Sequence, residues 1–187
     1  MTPHRPYCTC WPGATVWLTG LPSSGKSTIA AETARRLEPG FRRVEILDGD
    51  RSRTLLTADL GFSREDRFAN VQRIGLVAEV LARNGVLVLA PVIAPYADAR
   101  EAVRKRHEHS ATTYLEVHVA TPVEECARRD VKGLYARQAA GDLTGLTGVD
   151  DPYEPPARPD LVLPTDRQSV EESVTALLGL LAGRGLL

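Results

Sequence analysis

Residues 20–28 read Gly-Leu-Pro-Ser-Ser-Gly-Lys-Ser-Thr and follow directly on the apolar run Ala-Thr-Val-Trp-Leu-Thr at 14–19. Gly20 to Ser27 fits G-x-x-x-x-G-K-[ST] in full. It also sits between a strand-like run and a helix-like one, the context its mechanism needs. The glycines let backbone N–H groups turn inward around phosphates, and the start of the following helix adds partial positive charge. Lys26 reaches the β- and γ-phosphates, and the Ser27 hydroxyl can ligate magnesium. Gly20, Leu21, Pro22, Ser23, Ser24, Gly25, Lys26, Ser27 and Thr28 are therefore expected to hold ATP or GTP with Mg²⁺.

Working outward, apolar runs bounded by breakers alternate with stretches of helical period, which argues for an α/β fold of parallel strands and crossover helices. Strands are expected at 14–19, 43–47, 86–90, 114–119 and 160–163, and helices at 26–37, 64–84, 97–108, 122–129 and 168–183. The second helix is the clearest. Ser63 and Asp66 form a capping-box start, Val71, Ile74, Val77, Ala78 and Leu81 make one apolar stripe, and Asn84-Gly85 ends it. Residues 130–159 differ, being rich in glycine, proline and charge with few apolar anchors, and read as a mobile flap over a site.

The chain has 187 residues, 43% of them apolar, which suits one domain with a buried core. It is divided into an N-terminal tail, 1–13, and a single domain, 14–187, with a lid at about 130–159. A net charge of -1 excludes wholesale attraction to nucleic acid polymers or an acidic membrane surface. Three cysteines, Cys8, Cys10 and Cys126, lack the spacing of a zinc site and read as free thiols. His4, His107, His109 and His118 show no metal-ligand spacing, Trp11 and Trp17 read as packing residues, and RKRHEH at 104–109 reads as a solvated helix end. No signal peptide or apolar run of about 18 residues is present, so a cytoplasmic protein is expected.

Binding a triphosphate leaves its fate open. The guanine-reading N-K-x-D is absent, and the D-x-x-G at Asp130–Gly133 follows a helix instead of a strand, which argues against a GTPase. The run at 86–90 passes into Pro91 without the acid that motor-type ATPases carry there. Acids stand instead after the 43–47 strand, as Asp48-Gly49-Asp50, at the crevice where open α/β sheets bind ligands. Asp48 can help hold hydrated Mg²⁺, and Asp50 can accept a hydrogen bond from an attacking hydroxyl; together they also suit a helix cap. Arg53, Arg64, Arg67 and Arg73 follow, with Phe62 and Asn70 among them. Guanidiniums fit anionic oxygens and an aromatic face fits a planar base, so the acceptor reads as a nucleotide.

Several blocks in order, GLPSSGKST, LDGDRSR at 47–53, DLGFSREDRFANVQRIG at 59–75, RDVKGLY at 129–135 and LTGVDDPYEPP at 146–156, resemble the adenylylsulfate kinases from about Thr15 to Leu163. The resemblance implies a three-layer P-loop kinase fold with a five-stranded parallel sheet of order 2-3-1-4-5 and a mobile lid, commonly a homodimer. It also implies ATP and Mg²⁺ as cofactors, and transfer of the γ-phosphate to the 3′-hydroxyl of adenosine 5′-phosphosulfate in sulfate assimilation. By position, it makes Asp50 the acid at the acceptor hydroxyl, and Arg53, Arg67 and Asn70 the groups on the phosphosulfate and ribose. Phe62 becomes the adenine-stacking aromatic and Lys132 a catalytic flap lysine beside Lys26, while Asp48, Ile93 and Leu146 join the acceptor-binding set.

The chain also departs from the pattern. Ala94-Pro95-Tyr96-Ala97 replaces S-P-Y-R, Leu146 replaces a second aromatic, and Gln72 replaces a frequent basic residue. These changes motivate two alternatives: a kinase of another nucleotide-like or phosphorylated acceptor, and a nucleotide-binding protein without turnover.

Overall fold

The computed structural model describes residues 11–40 and 42–187, with the side chains of Arg53 and Leu55 not described. Cys8, Cys10 and the first ten residues of the expected tail lie outside the described residues. The strands are β1 (Ala14–Thr19), β2 (Val44–Ile46), β3 (Leu87–Pro91), β4 (Thr113–Val119) and β5 (Leu161–Leu163). They form one parallel sheet in the order β2-β3-β1-β4-β5. Helices are α1 (Lys26–Leu37), α2 (Gly49–Leu55), α3 (Arg64–Arg83), α4 (Ala97–His109), α5 (Val123–Arg129), α6 (Leu134–Ala139) and α7 (Val170–Gly183).

Side-chain alternation along β1 explains the three layers, because successive residues of a strand face opposite sides. Ala14, Val16 and Leu18 pack with Ile29 and Ala30 of α1 and Val174, Leu177 and Leu181 of α7. Trp17 faces the other way, against Val71 and Ile74 of α3 and Ala99 and Val103 of α4. A central strand covered on both sides has no solvated face, hence the continuous apolar reading of 14–19.

The expected helices and strands are present to within two residues at each end. Ser63 caps α3 by accepting from the Asp66 N–H at 3.1 Å, and Ser169 forms a reciprocal capping box with Glu172 on α7. Helices α2 and α6 are additions, each too short to show a period in sequence. The 104–109 expectation needs correction: His107 is fully buried, bonded to Val103 O at 2.9 Å and Thr15 Oγ1 at 2.8 Å, and Arg104 reaches Glu116 at 3.1 Å. Only part of that helix end is solvated. Residues 130–159 are also better anchored than their composition implies, since Tyr135 and Leu146 are buried with Cys126 and pack on Leu21. Among the described residues no helix is long and apolar enough to cross a membrane.

Candidate active site

Gly20 and Gly25 occupy positions that other residues resist. A Cβ on Gly20 would lie 2.5 Å from Val119 O, and Gly25 caps α1 in the left-handed region at φ 101°. The loop is held from behind: Ser24 O accepts hydroxyl hydrogen bonds from Thr121 at 3.1 Å and Thr165 at 2.9 Å, and the Arg129 guanidinium lies at 3.4 Å. Helix α1, like any helix, begins with N–H groups that have no intrahelical acceptor. These open onto a cavity of about 660 Å³ lined by Pro22, Ser23, Gly25, Lys26, Ser27 and Thr28.

Lys26 donates to Gly20 O at 2.9 Å, Leu21 O at 2.6 Å and Ser24 Oγ at 3.2 Å. Burial lowers its pKa to about 7, with Lys132 adding to the effect and Cys126, Asp50 and Asp48 opposing it. Those three bonds match the three donors of an ammonium, so the loop favours the charged form while desolvation disfavours it. A triphosphate would add the missing counter-charge.

Across from the loop, Ser27 Oγ donates to Asp48 Oδ2 at 2.8 Å, and Asp48 Oδ1 caps α2 by accepting from the Asp50 N–H at 2.9 Å. Asp48 thus fills both roles weighed for it, helix cap and partner of the phosphate loop. Ser27 and Asp48 present two hard oxygens at about the separation of adjacent ligands around Mg²⁺, roughly 3 Å for bonds near 2.1 Å, so the pair fits that ion. Lys132, in the turn between α5 and α6, hydrogen-bonds Asp50 across 82 positions of sequence. Both side chains are more than half exposed and both line the cavity.

The same cavity continues to Phe62, Arg67 and Asn70 around the start of α3, and to Ile93 after β3. Phe62 is 67% exposed, with the Arg67 guanidinium 5.7 Å from its ring centre. Arg67 is buried and donates to Phe62 O, Thr147 Oγ1 and Gly145 O, so it binds the 145–147 loop as well as facing the cavity. Asn70 Oδ1 is buried with no hydrogen-bond partner, an acceptor left over for a ligand. The cavity therefore runs over the carboxyl edge of the sheet, from one helical layer to the other.

Most expected site residues are brought together, but not all: Gly20, Leu21 and Ser24 shape the loop without lining the cavity, and Arg64 and Arg73 are ion-paired with Asp98 and Asp59 outside it. Leu146 is 5% exposed inside the Cys126–Tyr135 cluster and is not part of the cavity wall, and the Arg53 side chain lies outside the described structure. Thr165, Gln168 and Ser173 also line the cavity, with Gln168 Oε1 and Ser173 Oγ unpartnered. Nothing in their local pattern marked them; the connection from β5 to α7 delivers Thr165 and Gln168, and docking of α7 beside α1 delivers Ser173.

A family model for adenylylsulphate kinase matches residues 12–164. The chain belongs to the adenylylsulphate kinase family. A Picosynechococcus adenylyl-sulfate kinase is 49% identical over 166 residues, covering 89% of this chain and 92% of that protein. A probable adenylyl-sulfate kinase of Aeropyrum pernix is 46% identical over 168 residues, covering 90% and 92%. Among solved structures, the Mycobacterium tuberculosis APS kinase in complex with AMPPNP and APS superposes with a TM-score of 0.88 at 45% identity, covering 91% of this chain and 98% of that one. The fold of this adenylylsulphate kinase family member thus has its counterpart in a solved APS kinase.

Proposed function

We propose that the chain transfers the γ-phosphate of ATP to the 3′-hydroxyl of adenosine 5′-phosphosulfate, giving ADP and 3′-phosphoadenosine 5′-phosphosulfate for sulfate assimilation. The observation that carries this reading is the continuity of one cavity. It joins the phosphate loop to a second end that offers an exposed aromatic ring, a guanidinium and an unpartnered amide oxygen.

The N–H groups of the loop and Lys26 hold the β- and γ-phosphates of ATP. Ser27 and Asp48 would hold Mg²⁺, which supplies positive charge against the phosphate oxygens when bound. Asp50 orients the acceptor hydroxyl in line with phosphorus; in a loose phosphoryl-transfer transition state this positioning matters more than early proton removal. Lys132 then exchanges its contact with Asp50 for the transferring phosphoryl oxygens. Phe62 stacks on the acceptor base, with Ile93 beside it, while Asn70, Arg67 and Arg53 take the sugar and phosphosulfate. Residues 130–159 act as the lid that keeps water from the γ-phosphate. Because Ala94 and Ala97 carry no hydroxyl, no phosphoserine forms at those positions, and transfer runs directly from ATP.

The cytoplasm, as the compartment of ATP supply, and a homodimeric assembly belong to the same reading, the latter tested by sedimentation at twice the monomer mass. An acceptor panel with MgATP tests the function. APS should turn over at far lower concentration than adenosine monophosphate or sugar phosphates; preference for one of those, favoured by the withdrawal of Leu146 from the cavity, would replace APS as the acceptor.

A further inference from the structure

Arg100 of α4 is 3% exposed and spends its guanidinium on three separate parts of the chain. Nε donates to Glu116 Oε1 of β4 at 2.8 Å, Nη1 to Ala94 O at 2.7 Å, and Nη2 to Glu154 O at 2.7 Å. Glu116 is itself shared, its Oε2 accepting from Arg104 at 3.1 Å.

Ala94 is the constrained member of this set. Its φ of 43° lies in the left-handed region, costly for a residue with a Cβ, and it lines the cavity between Ile93 and Pro95. Ile93 O and Ala94 O are both turned inward, toward the Thr19 hydroxyl at 2.6 Å and 3.5 Å. Glu154, where the lid segment returns to the sheet, is laced to the same wall. Its N–H donates to Pro95 O at 2.8 Å, and its carboxylate accepts from the Ala97 N–H at 2.7 Å.

From these contacts we propose that Arg100 is a positioning residue for the acceptor. It holds the 93–97 wall in its strained conformation and fixes that wall to the return end of the lid. The inference rests on the kinase reading above and deepens it. A planar fork with donors in three directions suits this task, and a lysine ammonium cannot reproduce it. The Glu116 contact serves the fold and tolerates any cation, and Arg104 remains on Glu116 if Arg100 is replaced. The two carbonyl contacts serve the site.

Arg100→Lys separates these roles. It keeps a charge near Glu116 and loses at least one carbonyl clamp, so the protein should stay folded with a melting temperature lowered by a few degrees. KM for APS should rise about tenfold or more while KM for ATP is unchanged. Glu154→Ala, which keeps the backbone contacts and removes only the carboxylate bond to Ala97, should move KM for APS in the same direction by about two- to fivefold, and it carries the test if Arg100→Lys fails to fold. Folded variants with wild-type KM for APS, or with ATP and APS affected equally, would overturn the proposal. Wild-type protein that does not turn over APS would instead overturn the kinase reading, whatever Arg100 does.

Discussion

Single residues set the charge at the site. Desolvation lowers the pKa of Lys26 to about 7 while its three loop acceptors favour the ammonium, and a bound triphosphate favours the charged form further. Binding of MgATP near pH 8 should then be accompanied by net proton uptake at this lysine. Calorimetry in two buffers of different ionisation enthalpy reads this directly; enthalpies independent of buffer would show that the three loop acceptors already hold the lysine charged. Asp50→Ala should lower kcat by about 100-fold or more with ATP affinity little changed, and unchanged turnover would remove Asp50 from the chemistry. At this scale the sequence pointed to residues that the fold does bring to one cavity, as with Lys26, Ser27 and Asp50. It was silent where burial decides: Arg100 and His107 look like ordinary surface charges in their helix, yet both are buried.

At the scale of elements, long periods were readable, and of the three short helices only α5 was expected. Helix α1 begins at the lysine of the phosphate loop and ends at Leu37 as its sequence indicates, because twelve residues carry a full pattern. The seven residues of α2 and six of α6 carry less than two turns, and what starts them is local hydrogen bonding. Asp48 caps α2, and Asp130 accepts from the N–H groups of Tyr135 at 3.1 Å and Ala136 at 3.0 Å. Both helices then place groups that line the cavity, Asp50 on one and Lys132 in the turn before the other.

Helix packing supplies a sharper test at Gly75. A Cβ there would stand 2.5 Å from Val103 Cγ2, so α3 and α4 meet backbone to side chain. Alanine normally stabilises a helix interior by about 1 kcal/mol over glycine. Here Gly75→Ala should instead destabilise by about 1–3 kcal/mol through overpacking, and adding Val103→Ala should recover part of it. A rise in melting temperature for the single variant would contradict the close approach.

For the whole molecule, the sheet separates two helical layers and the cavity bridges them over its carboxyl edge. Strand succession was legible from alternating runs, but lateral order and the delivery of α7 residues to the donor end depend on long-range packing, which periodicity does not encode. The buried α3–α4 side also carries a pH signature. Burial lowers the pKa of His107, opposed by its bond to Val103 O and by Glu79, with Arg106 acting in the same sense as burial and the Tyr114 ring 5.2 Å away. Below pH 6.5 the unfolded chain takes up a proton that the folded chain refuses. Stability should therefore fall as pH drops from about 6.5 toward the lower folded value, and His107→Gln should flatten that slope in urea titrations even if it costs stability overall. An unchanged slope would assign the acid sensitivity to other groups.

The most direct measurement follows the phosphorus. With ATP labelled in the γ-phosphate and APS as acceptor, the label should appear as a 3′-phosphomonoester on the adenosine phosphosulfate, at a rate dependent on Asp50. Label released only as inorganic phosphate, or carried to any other position of the acceptor, would contradict in-line transfer across this cavity.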